Sequence, residues 1–418
     1  MTDLTIRQIQ QEEAADYIRI MFWAAGRPVD EEFVEEQRKA FSLDLALAAF
    51  SKDGMIGTIG TRSLSLTLPG GRAVPVAAIG QGGVLPSHTR RGAMRALMLE
   101  ALRAAREREE PLAAWTTSEW PIYERYGGGP ASFSASYRLS GPGRSALRDA
   151  YQPLGRVRMV DSKVALKLLP ELHQRASRRN GGVPRDHSYW KRAVDRLQSG
   201  ASLDVLESRR DLPASLFCTR FDDAGRADGC CVYRVHQNWK AGLSRATLEV
   251  LYFLTTSPES AIDLWSFLLG TDLVADVRIP HGSVDEALRW LLVDGRRLET
   301  LGIQDHMWLR LITPAVVLGH RSFPALPAPL RIKIHDPLQF GHGTLEIHSD
   351  GSTTDVAATE GAPEVAMGIG TLSSLVLGGT SVWSLAAAGR IEAFTQRALS
   401  RTAMAFGAVE SPFVDTSF

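Results

Sequence analysis

Residues 81–95 read Gln-Gly-Gly-Val-Leu-Pro-Ser-His-Thr-Arg-Arg-Gly-Ala-Met-Arg, and they join three local patterns. The residues just before them, VPVAAIG, have the small and β-branched side chains of a buried strand. The residues after them predict a helix over 90–108, because apolar side chains recur at the spacing of one buried helix face. Those side chains are Met94, Leu97, Met98, Ala101, Leu102 and Ala105. A strand therefore enters a helix through a tight basic turn.

The rest of the first third alternates strand-like and helix-like segments. Helical periodicity covers residues 11–25 and 30–41, and turn signals near residues 53 and 69 separate short apolar runs. The strand-like runs are LTIRQI, LALAAF, MIGTIGT, LSLTLP, VPVAAIGQGGVL and LAAWTTS. This order predicts the α/β class, with mixed and hairpin-rich sheets.

Later segments indicate two further domains. A Gly-, Pro- and Ser-rich stretch at 139–145 marks the first boundary, and a strand (LEVLYFLTT) and a helix (ESAIDLWSFLLG) follow it. A third region opens near MWLRLITPAVVLG, where we expect strands in LRIKIHD, TLEIHS and STTDVA. Its helices are expected to begin at Val365, Val382 and Ile391. A chain of 418 residues is long enough for three domains.

Composition describes a globular protein without a strong overall charge. Apolar residues make up 44% and charged residues 22%, and 47 Lys and Arg balance 47 Asp and Glu. This balance excludes a global field that would attract nucleic acid or an anionic membrane. The polar N-terminal segment and the lack of a long apolar run predict no signal peptide, no membrane span and a cytoplasmic location. Cys218, Cys230 and Cys231 lack disulfide or metal spacing, so we expect buried thiols.

The basic turn has the chemistry of an anion site. A helix N-terminus offers unpaired backbone N–H groups and a positive dipole end, which suit a diphosphate. Arg90, Arg91 and Arg95 add charge, and Gly92 removes a side chain where backbone and phosphate must approach. The same charges also fit a solvated helix start, so charge alone leaves both interpretations open.

The strand before the turn favours the anion site. Gly82 and Gly83 leave an edge without side chains, and an extended, amide-bearing arm can lie along it from Gly82 to Val84. Such an arm would hydrogen-bond to this edge like an added strand. Pantetheine is an arm of this kind.

This junction resembles the coenzyme motif of the Gcn5-related N-acetyltransferase superfamily, Gln/Arg-x-x-Gly-x-Gly/Ala. Thr89 replaces the first Gln or Arg of that motif, and Met94 occupies its last small position. One branch is more similar. The segments VLPSHTRRGAMRALM, TSEWPIYERYGGGPA and DHMWLRLI resemble the enhanced intracellular survival (Eis) family, and the resemblance extends over essentially the whole length.

The resemblance implies tandem Gcn5-related N-acetyltransferase folds and a C-terminal domain similar to sterol carrier proteins. We expect residues 1–150 to bind acetyl-CoA, residues 151–302 to form a degenerate second fold, and residues 303–418 to form the third domain and tail. The second fold's junction, FLTTSPESAIDLW, has no Arg-Arg-Gly turn, so it should not hold a diphosphate. The expected acetyl-CoA contacts, with no metal, are Gly82, Gly83, Val84, Arg90, Arg91, Gly92, Ala93, Met94, Arg95, Ser118 and Glu119. Family members are hexamers, so the resemblance also implies a homo-hexamer.

The resemblance also assigns the reacting groups. Tyr123 matches the tyrosine of Ile-Tyr-x-Arg-Tyr/Phe-Gly and is the expected general acid, because a phenol with a pKa of about 10 stays protonated near neutrality. The expected general base is the α-carboxylate of Phe418, which the tail carries back to the first domain. From the residues alone, a half-buried aromatic at Tyr123 and a frayed tail also fit. Tyr126 is expected to pack.

The expected reaction transfers acetyl from acetyl-CoA directly to an amine of a polycation such as an aminoglycoside or a polyamine. The acidic residues Asp30, Glu31, Glu32, Glu35 and Glu36 either face such a cation or cap and favour their own helix. Acetylation of protein lysines or N-termini is the alternative within enzymes. An acetyl-CoA sensor and a lipid carrier are the alternatives outside them.

Overall fold

A computed structural model describes residues 4–39, 41, 46–141, 143, 146–148, 156–200 and 212–415. The chain divides into two compact units. Unit 1 contains residues 1–131, 306–409 and 416–418, and unit 2 contains residues 132–305 and 410–415. Both units are built from mixed sheets with helices, so the predicted α/β class is confirmed.

The N-terminal part of unit 1 contains the basic turn. Its elements are β1 (Thr5–Gln8), α1 (Ala14–Ala24), α2 (Glu31–Lys39), β2 (Ala46–Ser51), β3 (Gly54–Thr67), β4 (Ala73–Val84), α3 (Ala93–Glu107), β5 (Leu112–Trp115), α4 (Trp120–Glu124) and β6 (Gly129–Pro130). The helix predicted over 90–108 is confirmed as α3, and its expected apolar face is buried apart from Met94. The segments MIGTIGT and LSLTLP form one strand instead of two, because the residues between them continue to pair with β4.

Unit 2 contains a second mixed sheet. Its elements are β7 (Phe133–Ser140), β8 (Arg156–Val160), α5 (Ser162–Ala176), α6 (His187–Gln198), β9 (Leu216–Phe221), β10 (Ala227–His236), β11 (Trp239–Lys240), β12 (Leu243–Ser244), β13 (Ala246–Thr255), α7 (Pro258–Leu269), β14 (Val274–Gly282), α8 (Leu288–Leu291) and β15 (Leu298–Asp305). The sheet order is β15-β7-β14-β13-β10-β9-β8. One buried core joins α7 to the sheet and a separate core joins α5 and α6 to it. The three cysteines are buried free thiols in these cores, as predicted.

The C-terminal part of unit 1 forms a smaller sheet. Its elements are β16 (Trp308–Leu311), α9 (Pro314–His320), β17 (Leu330–His335), β18 (Gly343–Ser349), β19 (Thr354–Ala358), β20 (Val365–Gly368), α10 (Ile369–Leu375), α11 (Val382–Ala387), β21 (Ile391–Ala393) and α12 (Gln396–Phe406). The order of this sheet is β19-β18-β17-β20-β21. Strand β16 is not part of it. It lies between β5 and β6 in the first sheet, whose order is β1-β2-β3-β4-β5-β16-β6.

Two of the helices predicted in this region begin later than expected. Val365 and Ile391 lie in the short strands β20 and β21, and helices begin only at Ile369 and Gln396. β20 pairs with both β17 and β21, so partners distant in sequence satisfy its backbone groups. The spacing of apolar residues within a short segment does not indicate which distant strands that segment will pair with. Val382 begins α11, as predicted.

The domain boundaries at residues 150 and 302 stay a prediction. The sheets themselves exchange strands across these positions. β7 precedes residue 150 and pairs with β14 and β15 in the second sheet. β16 follows residue 302 and pairs with β5 and β6 in the first sheet. The first sheet is therefore completed by a strand from far along the chain.

Candidate functional site

The edge of β4 opens beside β5 where their pairing ends. The two strands are parallel and pair only over Val76–Ala78 of β4. A bulge then bends β4, because Gln81 and Gly82 together oppose one residue of β3. Gln81 has a left-handed φ of 53°, and its carbonyl accepts a 3.0 Å hydrogen bond from the Thr58 hydroxyl. The remaining β4 edge faces no paired strand on the β5 side and can accept an extended chain with amide groups.

The two glycines of this edge have different environments. A side chain at Gly83 would lie 2.5 Å from the Cβ of Ala24, so the packing of α1 requires this glycine. A Cβ at Gly82 would meet only ordinary contacts, with Ile59 at 3.7 Å and Met94 at 3.8 Å. Gly82 is exposed. Gly82 is therefore the glycine whose small size leaves the edge accessible.

The basic turn leaves the first amides of α3 without a side-chain acceptor. Gly92 is the N-cap residue, with a left-handed φ of 90°, and it has no side chain to cap the helix. Arg90 is also left-handed, with a φ of 61°. The first amides of a helix have no acceptor within the helix, so those of Ala93, Met94 and Arg95 are available to an anion. An added Cβ at Gly92 would meet nothing within 4 Å, so there is open space beside this turn.

Three arginines surround this helix start. Arg90, Arg91 and Arg95 are exposed, and within the described part of the chain they form no ion pair. The Arg103 guanidinium, further along α3, is paired with Glu100 at 3.4 Å. Free guanidinium groups beside free backbone amides suit a phosphate-bearing ligand, because charge-assisted hydrogen bonds are the strong ones.

Tyr123 lies on α4, the short helix after β5. Its ring is half-buried, with its centroid 6.1 Å from that of Trp115. Burial raises the pKa of the Tyr123 phenol, a hydrogen bond with the Ser118 side chain lowers it, and the charge of Glu119 raises it. The net shift is upward. The phenol therefore keeps its proton near neutral pH and can donate it.

Tyr126, the neighbouring aromatic, belongs to the core of the first sheet. Its side chain packs with residues of α3 and β5. Its carbonyl accepts a 2.8 Å hydrogen bond from Nε of Arg310, whose Nη2 lies 2.7 Å from the carboxylate of Asp336. Both charged side chains are fully buried. This pair fixes the chain just after α4 and thereby supports the position of Tyr123.

The corresponding junction of unit 2 is closed by its own side chains. The Ser257 hydroxyl caps α7 by accepting a 3.2 Å hydrogen bond from the Ser260 amide, and the Ser260 hydroxyl donates to the Ser257 carbonyl at 2.8 Å. Pro258, the first residue of α7, has no N–H group. Two of the donors that a diphosphate would need are thus unavailable, because Pro258 has none and the Ser260 amide is occupied.

The C-terminal tail belongs to unit 2 as far as Asp415. The carboxylate of Asp415 lies 3.3 Å from Nε2 of His173 and 3.2 Å from Nη2 of Arg179. Phe418, the expected general base, lies outside the described residues. The position of its carboxylate stays a prediction.

The acidic residues near α2 are engaged locally. Asp30 accepts a 2.8 Å hydrogen bond from the Phe33 amide at the start of α2. Glu31 pairs with Arg19 at 2.6 Å, and Glu35 pairs with Arg38 at 2.9 Å. These contacts are those of a capped helix with surface ion pairs. They favour the structural interpretation of the acidic run over a cation-binding one.

The comparisons with known proteins agree with this arrangement. Residues 5–131 and 181–311 each match an acetyltransferase (GNAT) domain family, and residues 315–415 match a sterol carrier protein domain. An uncharacterized N-acetyltransferase of Streptomyces griseus is 30% identical over 400 residues, 93% of each chain. N-acetyltransferase Eis of Mycobacterium tuberculosis is 29% identical over 351 residues, 82% of this chain and 81% of that one. The chain belongs to the Eis family of Gcn5-related N-acetyltransferases.

A solved Eis-family structure extends the match to three dimensions. The crystal structure of Eis1 from Mycobacterium abscessus superposes with a TM-score of 0.84 at 28% identity, covering 99% of this chain and 100% of that one. The predicted architecture of two tandem GNAT folds and a sterol-carrier-like domain is therefore confirmed. Like its Eis-family relatives, this protein is an acetyltransferase enzyme.

Two kinds of feature are absent from the described residues. No helix there is both long enough and apolar enough to cross a bilayer. No group of His, Cys, Asp and Glu side chains in those ranges is arranged to hold a metal ion.

Several features of the site were not predicted from the sequence. These are the bulge at Gln81, the packing role of Gly83, and the contacts of Asp415 with His173 and Arg179. The bulge had a visible signal, since glycine inside a strand pattern marks bulges. The partners of Asp415 had none, because hundreds of residues separate them from it in sequence.

Proposed function

We propose that this Eis-family enzyme transfers the acetyl group of acetyl-CoA directly to a primary amine of a polycationic acceptor, such as an aminoglycoside or a polyamine. The observation that carries the proposal is the open β4 edge followed by the uncapped start of α3. CoA carries its pantetheine arm next to its diphosphate. The open β4 edge suits the arm, and the start of α3, which follows that edge, suits the diphosphate. The choice of acceptor rests on the family resemblance.

The proposed coenzyme contacts divide into three groups. The backbone of Gly82, Gly83 and Val84 would hydrogen-bond to the pantetheine arm. The amides from Gly92 to Arg95, with the guanidinium groups of Arg90, Arg91 and Arg95, would hold the diphosphate. Ser118 and Glu119, which lie between β5 and α4, would border the thioester.

The proposed chemistry requires one base and one acid. The acceptor arrives as an ammonium ion, and the α-carboxylate of Phe418 takes a proton from its nitrogen. The nitrogen lone pair then attacks the thioester carbonyl carbon, forming the C–N bond. The C–S bond breaks, and the leaving thiolate takes the phenolic proton of Tyr123. A second proton leaves the nitrogen and restores the Tyr123 phenol through water, while the first passes from the carboxylate to solvent.

We also propose that the protein assembles as a homo-hexamer, on the basis of the family resemblance.

The decisive experiment measures CoA release from acetyl-CoA with a panel of aminoglycosides, polyamines and lysine peptides. The intact chain is compared with a chain that carries one added glycine after Phe418. The extension moves the carboxylate by one residue, so we expect kcat to fall by about 100-fold or more, the usual contribution of general base catalysis. The affinity for acetyl-CoA, measured by calorimetry, should be unchanged.

The matched control is Phe418→Leu, which changes the last side chain and keeps a terminal carboxylate in place. It should retain most of the turnover. Equal turnover by the extended chain would remove the carboxylate from the mechanism. Tight binding of acetyl-CoA by the intact chain without turnover of any amine in the panel would contradict the proposed acceptor class.

A further inference from the structure

The tail segment, residues Glu410–Asp415, is held by the loop that follows α5. The Asn180 amide donates to the Glu410 carboxylate at 2.9 Å, and the Asn180 side chain donates to the Glu410 carbonyl at 3.3 Å. The Phe413 amide donates to the Asn180 carbonyl at 3.2 Å. Gly181 has a left-handed φ of 84°, and a Cβ there would lie 3.4 Å from Phe413 backbone atoms. The loop therefore follows the backbone of the tail closely.

Side chains of unit 2 hold the end of the same segment. His281 Nε2 lies 2.7 Å from the Val414 carbonyl and donates to it. The Arg179 guanidinium lies 4.5 Å from the centre of the Phe413 ring and also binds the Asp415 carboxylate. His173 binds the other oxygen of that carboxylate. These contacts recognise both the backbone and the side chains of the tail segment.

The Asp415 carboxylate is ionised although its side chain is largely buried. Its side chain is 11% exposed, and that of His173 is 1% exposed. Burial opposes the charge, but the His173 hydrogen bond and the positive charge of Arg179 outweigh it, so the pKa of Asp415 lies below its usual range. A buried carboxylate is tolerated only with such partners. The pocket thus selects an acidic residue at this position of the tail.

The tail segment lies where the second sheet parts. β13 and β14 pair only over residues 246–249 and 274–278. Both strands continue after this pairing ends. His281 lies in the continuation of β14, and Tyr252 lies in that of β13. Burial, then the neighbouring Tyr189, and then the negative charge of Asp415 raise the pKa of Tyr252. In the first sheet, the matching opening between β4 and β5 is the proposed place of the coenzyme arm.

We propose that the opening of the second sheet is a peptide-binding site for the chain's own C-terminal segment, and that His173 and Arg179 are positioning residues for the terminal carboxylate. The catalytic part of this statement rests on the proposed function. Three residues beyond Asp415 can span at most about 10 Å, so anchoring Asp415 confines the end of the chain to a small volume. A frayed tail would instead spread the carboxylate over many positions.

The first test measures hydrogen exchange of the C-terminal peptide by mass spectrometry on the full chain. Asp415→Asn keeps the shape of the side chain and removes its charge, and His173→Gln removes the ring donor. Both variants should exchange residues 410–415 about tenfold faster or more, because hydrogen bonds to charged groups are lost. Asp222→Asn is the matched control, since Asp222 pairs with Arg226 on the surface of unit 2 and does not contact the tail segment. Unchanged protection in Asp415→Asn would overturn the proposal.

The second test separates positioning from general stability. Asp415→Asn should lower kcat by about tenfold or more, with the KM and the affinity for acetyl-CoA unchanged. A rise in the KM for acetyl-CoA with unchanged kcat would overturn the positioning role. Faster exchange of the tail with an unchanged kcat would retain the peptide site and reject the terminal carboxylate as base, so the two proposals fail in different ways.

The third test adds a fluorescent synthetic peptide with the sequence ESPFVDTSF, residues 410–418, to the full chain. The peptide should bind the Asp415→Asn protein, whose own tail is weakened, and should bind the unaltered protein far more weakly, because the attached tail acts at millimolar effective concentration. The same peptide carrying Asp415→Asn should not bind. Equal anisotropy changes for both peptides would show that the pocket does not recognise Asp415.

Discussion

The junction before α3 and the junction before α7 occupy the same place in two sheets and have opposite chemistry. In each case a strand, a helix and a parallel neighbouring strand form one βαβ unit. The first helix begins with a bare, left-handed Gly92 and free arginines. The second begins with Ser257 and Pro258, which cap it or remove a donor. The same fold thus has a helix start with no side-chain cap in one sheet and a helix start capped by its own side chain in the other, according to a few residues.

The two openings between parallel strands, β4–β5 in the first sheet and β13–β14 in the second, also differ. In the first sheet the β4 edge beyond Ala78 has no strand partner on the β5 side. In the second sheet His281 of β14, beyond the pairing with β13, donates a hydrogen bond to the Val414 carbonyl of the tail segment. The second fold lacks the basic turn of the first, but its parallel strands β13 and β14 also separate after a short pairing. In our proposals the opening of the second sheet holds a segment of the chain itself, and the opening of the first sheet holds the coenzyme arm.

The largest expected effect tests whether only the first fold carries chemistry. Tyr123→Phe removes one hydroxyl and keeps the ring beside Trp115, so kcat should fall by about 100- to 10,000-fold if this phenol is the general acid. Steady-state CoA release measures it. Because burial raises the pKa of Tyr123, the acid form persists as pH rises past about 10, and the alkaline loss of kcat should begin only above that value.

Tyr126→Phe is the control for that change, because Tyr126 lies in the core and its backbone is held by Arg310. It should leave kcat nearly unchanged. Turnover by Tyr123→Phe within a few-fold of the unaltered protein would mean that another group, in either fold, protonates the thiolate.

A smaller effect is expected from the charges that distinguish the two helix starts. The double variant Arg90→Gln with Arg91→Gln should raise the Kd for acetyl-CoA by about 10- to 100-fold at low salt, because two charge-assisted contacts to phosphate are lost. Calorimetry at two salt concentrations measures it. The salt dependence of the Kd should also become weaker, since fewer charges take part.

Arg103→Gln is the matched control for these charges. Arg103 is an exposed arginine of the same helix, and its guanidinium already faces Glu100. Its loss should leave the Kd unchanged. An equal weakening by Arg103→Gln would show that the net charge of α3, and not the basic turn, attracts the coenzyme.

The smallest effect is expected at the closed junction. Ser257→Ala removes the cap of α7 and should lower the free energy of unfolding by about 1 kcal/mol, measured by urea denaturation. The Kd for acetyl-CoA should not change. Ser199→Ala, at the C-terminal end of α6, serves as control because its hydroxyl caps no helix N-terminus. A change in acetyl-CoA binding by Ser257→Ala would contradict the contrast between the junctions.

Short-range features of the sequence were predictive of the fold. The apolar spacing in α3, the glycine in the basic turn and the Ser-Pro start of α7 each act within one or two turns of chain, so their outcome is visible in the residues themselves. Val365 and Ile391 show the limit of this reasoning, because apolar residues at helix spacing became strands once β17 and β20 offered partners. The candidate site divides in the same way. Its glycines and arginines could be named in advance, but the bulge and the parted strands could not.

The sequence by itself determined the basic turn, the uncapped helix start, the tyrosine at position 123 and the family to which they belong. Only the tertiary structure decided that β4 separates from β5 after Ala78, that β16 completes the first sheet, and that Asp415 is held by His173 and Arg179. The physical reason is the range of the interactions. Helix caps and turns are fixed by neighbouring backbone groups, whereas strand pairing and buried ion pairs depend on groups that meet only when distant segments fold together.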